Sequence, residues 1–383
     1  MGVDKITGEA RNITAKISAH YVDNARKLPW RIPPQMSAKG ILPNPYHVWL
    51  SEVMLQQTTV AAVIAYFEKF TRRWPTIADL AAADEADVLA AWAGLGYYAR
   101  SRNLHKWARY VTGEKAGEMG GEFPVAEADL LKLPGVGAYT AAAIAAIAFG
   151  QRAVVIDANI ERLVSRLFAI DTPLPAGKAN IRMAMDALTP DEAVRANRVG
   201  DFAQACMDIG AGICTAKSPK CDMCPVQTHC AAHARGDPER YPVKPPKKAK
   251  PLRKGRFFWI EQDGKLLLVT RPPTGMLGSM RALPDDGWAA GTDGHAQPPL
   301  TGDWQLHENV IQHSFTHFSL EVDVAVYHSD INIYKKYDNQ KAGWEPNGAI
   351  WWPIDGIEDA GLPTLYAKTV RRILGRDKLK ERL

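Results

Sequence analysis

No stretch of this 383-residue chain stays apolar for long. The longest apolar run, roughly Ala141 to Phe149, falls far short of the about 20 helical residues that span a bilayer. The amino-terminal segment MGVDKITGEARNITAK has no apolar core of signal-peptide length, so an exported chain is not expected. Cysteine is scarce, with five in all, and without a secretion signal a disulfide framework is not expected either. Runs of β-branched residues are few before Ala234, and no internal repeat is visible. These absences point to a soluble, cytoplasmic protein of a reducing compartment that has no membrane partner.

What is present is ordinary globular composition, 46% hydrophobic and 23% charged, in a chain too long for one average domain. The net charge of +5 permits a polyanionic partner without requiring one. Its distribution says more, because nine Lys or Arg against two acids lie between Arg235 and Arg256.

Residues 14–234 read as helical, in alanine-rich blocks punctuated by Gly and Pro. The expected helices include Val60–Phe70, Glu85–Ala93, Arg100–Tyr110, Ala126–Leu131, Ala138–Phe149, Asn159–Ile170 and Ala193–Ile209. The segment Tyr241–Lys254 carries four prolines and six cations, which predicts an extended linker. Beyond it the period changes to two. Arg256–Thr270 reads as a hairpin turning at Asp263–Gly264, and Phe318, Leu320, Val322, Val324 and Val326 alternate as a half-buried strand does. A short strand at Ala349–Trp352 and a closing helix at Leu365–Leu374 complete the pattern. The expected architecture is therefore multidomain, α and α+β. It comprises an all-helical domain over residues 1–234, a basic linker over 235–254 and a smaller α+β domain over 255–383.

Four cysteines, Cys214, Cys221, Cys224 and Cys230, lie in one loop with gaps of six, two and five residues. Clustered thiols indicate a metal centre, and a zinc site is the plain alternative. Zinc ribbons usually pair two Cys-x-x-Cys units, whereas three uneven gaps in one loop suit a four-iron, four-sulfur cluster. The spacing resembles the cluster loop of the endonuclease III superfamily of DNA glycosylases. That resemblance implies one [4Fe-4S] cluster and a loop whose Lys217 and Lys220 meet the DNA backbone. Cys206 lies outside the pattern and reads as a small buried hydrophobe.

Leu133-Pro-Gly-Val-Gly137 joins two expected helices. Glycines in such a turn let backbone N–H groups converge on a phosphate, and the next helix adds its positive end. The turn resembles the helix-hairpin-helix of the same superfamily, which implies backbone contacts at Gly135, Val136 and Gly137 and a monovalent cation at the hairpin. Asp157, twenty residues after Gly137, reads as a helix N-cap. The resemblance gives this position the catalytic aspartate, and a cap keeps such a carboxylate ionised. Tyr139 stands where endonuclease III carries an amine nucleophile, so base removal without strand cleavage is implied.

Leu28-Pro-Trp30, Ser51-Glu-Val-Met-Leu-Gln-Gln-Thr58 and Gly94-Leu-Gly-Tyr-Tyr98 narrow the likeness to the MutY family of adenine DNA glycosylases. Glu52, at helical spacing from Val48, Trp49 and Leu55, is a carboxyl group among apolar neighbours, where desolvation raises proton affinity. The resemblance makes Glu52 the general acid that protonates adenine and Asp157 the group that stabilises the sugar cation, with Tyr139 and Asn159 hydrogen-bonding around them. Gln57 and Tyr97 match residues that wedge into the duplex, and Arg31 and Leu55 also fall among the implied DNA contacts.

The second domain is similar to the MutT (Nudix) fold without its run of hydrolytic glutamates, so pyrophosphatase activity is not expected. Phe315, Thr316 and His317 match the family's phenylalanine–serine–histidine loop, which reads 8-oxoguanine (oxoG), with threonine in place of serine. The implied substrate is duplex DNA carrying oxoG:A or G:A, met by a monomer in a bacterial-type, nucleoid-associated setting. Arg31–Asn44 is longer and richer in proline than the family usually has. A thymine-mismatch or thymine-glycol glycosylase is disfavoured by Glu52, Tyr139 and the second domain together. A noncatalytic, zinc-bearing DNA-binding protein would leave Glu52 and Asp157 without a joint purpose.

Overall fold

The computed structural model describes residues 3–113, 123–191, 198–245, 249–328 and 348–376. The chain forms two compact units, Met1–Ala91 with Arg100–Pro246, and Trp92–Ala99 with Lys247–Leu383.

In the first unit α1 (Val3–Asn24), α2 (Pro34–Ser37), α3 (Pro45–Leu55), α4 (Val60–Arg73), α5 (Ile77–Ala82) and most of α6 (Glu85–Trp92) come before α7 (Ala99–Thr112). They are followed by α8 (Glu127–Leu130), α9 (Ala138–Phe149), α10 (Ala158–Leu167), α11 (Lys178–Leu188), α12 (Arg198–Gly212) and α13 (Ala231–Ala234). Helix α9 occupies the centre. Its alanines have no polar face to present to water, and every residue from Thr140 to Ala148 is buried. The small side chains let α3 and α12 approach its backbone closely, and both pack on it.

Most helices expected from periodicity are present within a turn of their limits. Helix α10 stops at Leu167, short of the expected Ile170, because Ala169 adopts a left-handed conformation at φ 45° that no helix continues through. The expected start of α12 at Ala193 lies outside the described residues.

Regular structure is present at both ends of the expected linker, 235–254. Pro238–Arg240 form a 3-10 turn, Tyr241 is buried with its hydroxyl donating to Asp171 at 3.1 Å, and the Val243 carbonyl accepts from the Leu174 N–H. At its other end Leu252–Lys254 already belong to a strand. Proline forbids a helix here, but its carbonyl still accepts, and Pro251 O takes the Ser319 N–H at 2.9 Å.

The second unit holds two sheets. One is three-stranded, in the order β1 (Leu252–Trp259), β6 (Ser319–His328), β5 (Asp303–Ser314). In the other, β3 (Lys265–Thr270) pairs with β2 (Glu261–Gln262), β4 (Arg281–Ala282) and β7 (Ile350–Pro353). The expected Arg256–Thr270 hairpin is thus only partly present. The turn at Asp263–Gly264 joins β3 to the two-residue β2, while β1 runs parallel to β6. The reason lies in Phe257-Phe-Trp-Ile260, which is apolar on both faces. Phe257 and Trp259 enter one core, shared with Leu320, Val322, Val324 and the closing helix α14 (Thr364–Ile373). Phe258 and Ile260 enter a second core with Ala325 and Tyr327. Such a strand belongs inside a layered sheet, not in an exposed hairpin. The chain thus has one helical unit and one α+β unit. Among the described residues no helix is long and apolar enough to cross a membrane.

Candidate active site

Helix α3 begins where the Asn44 side chain accepts the Tyr46 N–H, with Pro45 preset for the first turn. It is anchored by Trp49, whose ring centroid lies 3.8 Å from that of Trp107 on α7. This packing carries Glu52 inward until only 5% of it is exposed. Burial therefore drives the Glu52 carboxyl from its usual 4.5 to about 7; Tyr139 and Arg31 oppose the rise and Asp157 adds to it.

Tyr139, in the first turn of α9, donates its hydroxyl to Glu52 Oε2 at 2.5 Å. Burial, reinforced by Glu52, pushes its own proton affinity well above the usual tyrosine range, so it acts as a fixed donor. Asp157 is the N-cap of α10, with Oδ1 accepting the Ile160 N–H at 2.7 Å. Its Oδ2 accepts from the Asn159 side-chain amide at 2.8 Å. Burial raises the Asp157 pKa, while the Ile160 and Asn159 donors pull it down. The two carboxyl groups thus have different surroundings: a single hydroxyl for Glu52, and a helix N-terminus with a side-chain amide for Asp157. Burial raises the pKa of both, against one hydroxyl donor at Glu52 and two amide donors at Asp157.

The Asn159 amide is itself oriented. Its Oδ1 accepts from Arg162 Nη2 at 2.9 Å, and Arg162 also donates to the carbonyls of Gly210 (2.5 Å) and Cys214 (2.7 Å). One turn on, Arg166 is 1% exposed and donates to Cys214 Sγ at 3.3 Å and to the Thr215 carbonyl at 2.7 Å. These two arginines tie the cysteine loop to the helix that presents Asp157. Gly210 is required here, since a Cβ would stand 2.6 Å from the Asn159 Cβ.

Cys214, Cys221, Cys224 and Cys230 line one cavity with Leu163, Arg166 and Val226. All four are free thiols, and burial raises the proton affinity of Cys221, Cys224 (to about 11) and Cys230, with repulsion among the thiols adding to it. Four thiolates held this way need a positive core between them. The four cysteines face one cavity beside the Arg166 guanidinium, a donor set that fits a bound metal–sulfur group. Cys206 lies apart, 1% exposed, in α12.

Three families match along the chain. Residues 50–185 match the HhH-GPD superfamily of base excision DNA repair proteins, 214–230 the iron–sulfur binding domain of endonuclease III, and 256–372 the NUDIX domain. The adenine DNA glycosylase of Homo sapiens is 34% identical over 417 residues, covering 93% of this chain and 73% of that protein. The chain belongs to the adenine DNA glycosylase family. The adenine DNA glycosylase of Buchnera aphidicola (from Schizaphis graminum) is 29% identical over 93% of this chain and 95% of its own length. Among solved structures, a thermostable thymine-DNA glycosylase superposes with a TM-score of 0.50 at 26% identity, over 60% of this chain and 98% of that one.

In this adenine DNA glycosylase family member the remaining expected residues fall in varied settings. Leu133-Pro-Gly-Val forms a turn closed by the Val136 N–H on the Leu133 carbonyl at 3.2 Å, with Pro134 second and Gly135 third at φ 77°. Gly135 is also pressed on Asn103, 2.8 Å from where its Cβ would sit. The Val136 side chain is turned inward, whereas Gly137 is exposed and caps α9. Gln57 and Tyr97 are both exposed and both left-handed, at φ 57° and 49°. Lys217 and Lys220 are exposed, and Leu55 is half-buried. Arg31 is not on the surface: its side chain is 7% exposed and paired with Asp208 at 2.8 Å.

In the second unit Thr316 and His317 form the exposed tip of the β5–β6 hairpin, closed by the Phe315 N–H on the Phe318 carbonyl. Phe315 folds back as an anchor, stacked on Phe318 and Trp288.

Sequence reasoning missed Arg162, Arg166, Asp208 and Arg100. The usable signal was Arg166, a cation at an inward-facing position of the apolar stripe Ile160, Leu163, Val164, Leu167.

Proposed function

We propose that this chain removes adenine paired with oxoG or G from duplex DNA, without cutting the strand. The observation that carries this reading is a pair of carboxyl groups in different surroundings, Glu52 buried against apolar neighbours and Asp157 capping a helix. Burial raises the Glu52 carboxyl to about 7 even though the Tyr139 hydroxyl donates to it, and Asp157 accepts from the Ile160 N–H and the Asn159 amide.

With adenine extruded, Glu52 gives its proton to N7 and the bond from N9 to C1′ breaks, so the base leaves neutral. The positive sugar is stabilised by the Asp157 carboxylate, which bonds to C1′ on the face opposite the departed base. Water, losing a proton to Glu52, then displaces Asp157 with overall retention. Tyr139 has no amine to form a Schiff base, so the product is an abasic site. Cys214, Cys221, Cys224 and Cys230 would hold one [4Fe-4S] cluster, whose positive core offsets the four thiolates and braces the loop that Arg162 and Arg166 tie to α10. Lys217, Lys220 and the Gly135–Gly137 turn would meet the backbone, the turn with a monovalent cation. Thr316 and His317 would read oxoG. The protein works as a monomer of the cytoplasm, at the nucleoid.

Single-turnover adenine release from matched oxoG:A, G:A and C:A duplexes tests the proposal. Release should be fastest from oxoG:A and slowest from C:A; no release from any duplex, or thymine release instead, would reject it.

A further inference from the structure

Helix α3 ends abruptly at Leu55, and the chain then passes through Gln57 at φ 57°. A residue with a Cβ avoids that conformation unless its surroundings impose it. Here the imposing group is Arg100, at the start of α7. Its Nη1 donates to the carbonyls of Val53 (2.9 Å), Met54 (2.9 Å) and Gln56 (2.5 Å), and its Nη2 to Thr58 Oγ1 at 3.2 Å. The last carbonyls of a helix lack partners within the helix, and a cation there also opposes the helix dipole. One planar guanidinium thus closes α3 and grips the chain on both sides of Gln57, while the Gln57 side chain itself is exposed. A lysine could supply the charge but not the fork.

We propose that Arg100 is a positioning residue, which holds Gln57 outward in its strained conformation, ready to enter the duplex at the site of base extrusion. This deepens the proposed function and rests on its reading of the chain as a base-extruding glycosylase.

Two measurements on the full-length, cluster-containing protein test it. The first is hydrogen exchange of the backbone amides at 55–59 in the free protein. Arg100→Met should speed exchange there about 10-fold or more, with the rest of α3 and α7 unchanged. Arg100→Lys keeps the charge and serves if the first variant folds poorly; it should show the same local loss. The second measurement is extrusion of 2-aminopurine placed opposite oxoG, followed by fluorescence. Gln57→Ala and each Arg100 variant should slow it about 10-fold, and combining Gln57→Ala with Arg100→Lys should cost little more than the slower single change, since both remove one function. The pH midpoint of adenine release should not move, because Glu52 keeps its Tyr139 partner.

Unchanged exchange at 55–59 overturns the inference. So do multiplicative effects in the double variant, or a shifted pH midpoint, which would mean that Arg100 acts through Glu52. If the unaltered protein extrudes no base from any duplex, the proposed function falls by itself, and the exchange measurement still decides whether Arg100 braces the turn.

Discussion

Replacing Glu52 with glutamine should make the protein more stable and far less active, and the stability gain should depend on pH in a calculable way. Glutamine is isosteric and keeps an oxygen for the Tyr139 hydroxyl, so the packing around Trp49 and Val53 is preserved. What changes is the proton. The Glu52 carboxyl sits at about 7 in the folded protein against an ordinary 4.5, so between these values the folded state holds a proton that the unfolded chain has released. The contribution of that proton to stability therefore falls as pH rises through that window, and is lost fully only above about 7. The gap of roughly 2.5 units corresponds to about 3 kcal/mol as an order of magnitude. Glu52→Gln has no such proton to lose. Its advantage over the parent should be small at pH 5 and approach that figure at pH 8, about 5–10 °C in Tm for a unit of this size. Adenine release by the same variant should fall by about 10²–10⁴ while duplex binding persists. The assays are thermal melts of both proteins at pH 5 and 8 at one scan rate, and single-turnover release. An advantage equal at the two pH values would refute the argument that burial holds the proton, and near-normal release would remove Glu52 from the chemistry.

Three further outcomes are expected. Cys206→Ala should leave a brown iron–sulfur chromophore intact and Cys221→Ser should lose it, as visible absorbance and metal analysis will show; zinc alone would contradict the cluster. Reaction products run with and without alkali should differ, because Tyr139 offers no amine, and efficient borohydride trapping would contradict base removal alone. Thr316→Ala should lower the preference for oxoG over G by about 5-fold or more with little change on G:A, as one base-edge hydrogen bond is worth about 1–3 kcal/mol; an unchanged ratio of single-turnover rates would show that the hairpin tip does not read the base.

Local signals in the chain were sufficient for a good deal. The alanine-rich run Ala138–Phe149 reads as a helix buried all round, and Leu-Pro-Gly-Val as a turn, because proline presets its own φ and glycine admits the positive φ of the third position. The four-cysteine spacing was equally legible as a metal centre and Asp157 as a helix cap, whereas catalytic roles for Glu52 and Asp157 were expected only from the resemblance. Pairing between distant segments was not. Phe257-Phe-Trp-Ile260 is apolar on both faces, and only the sheet shows that its partner is the parallel strand Ser319–His328, not the nearby Lys265–Thr270. Arg31 illustrates the same limit: a cation beside Trp30 suits a surface, and only folding brings up Asp208, 177 residues away, to bury it. The tie from the cysteine loop through Arg162 and Asn159 to Asp157 likewise depends on Gly210 letting α12 close on α10. A sequence states which groups are available and how each bends the chain locally. Whether a carboxyl group is left dry enough to keep its proton near pH 7 depends on how every neighbouring element packs, and that is settled only by the tertiary structure.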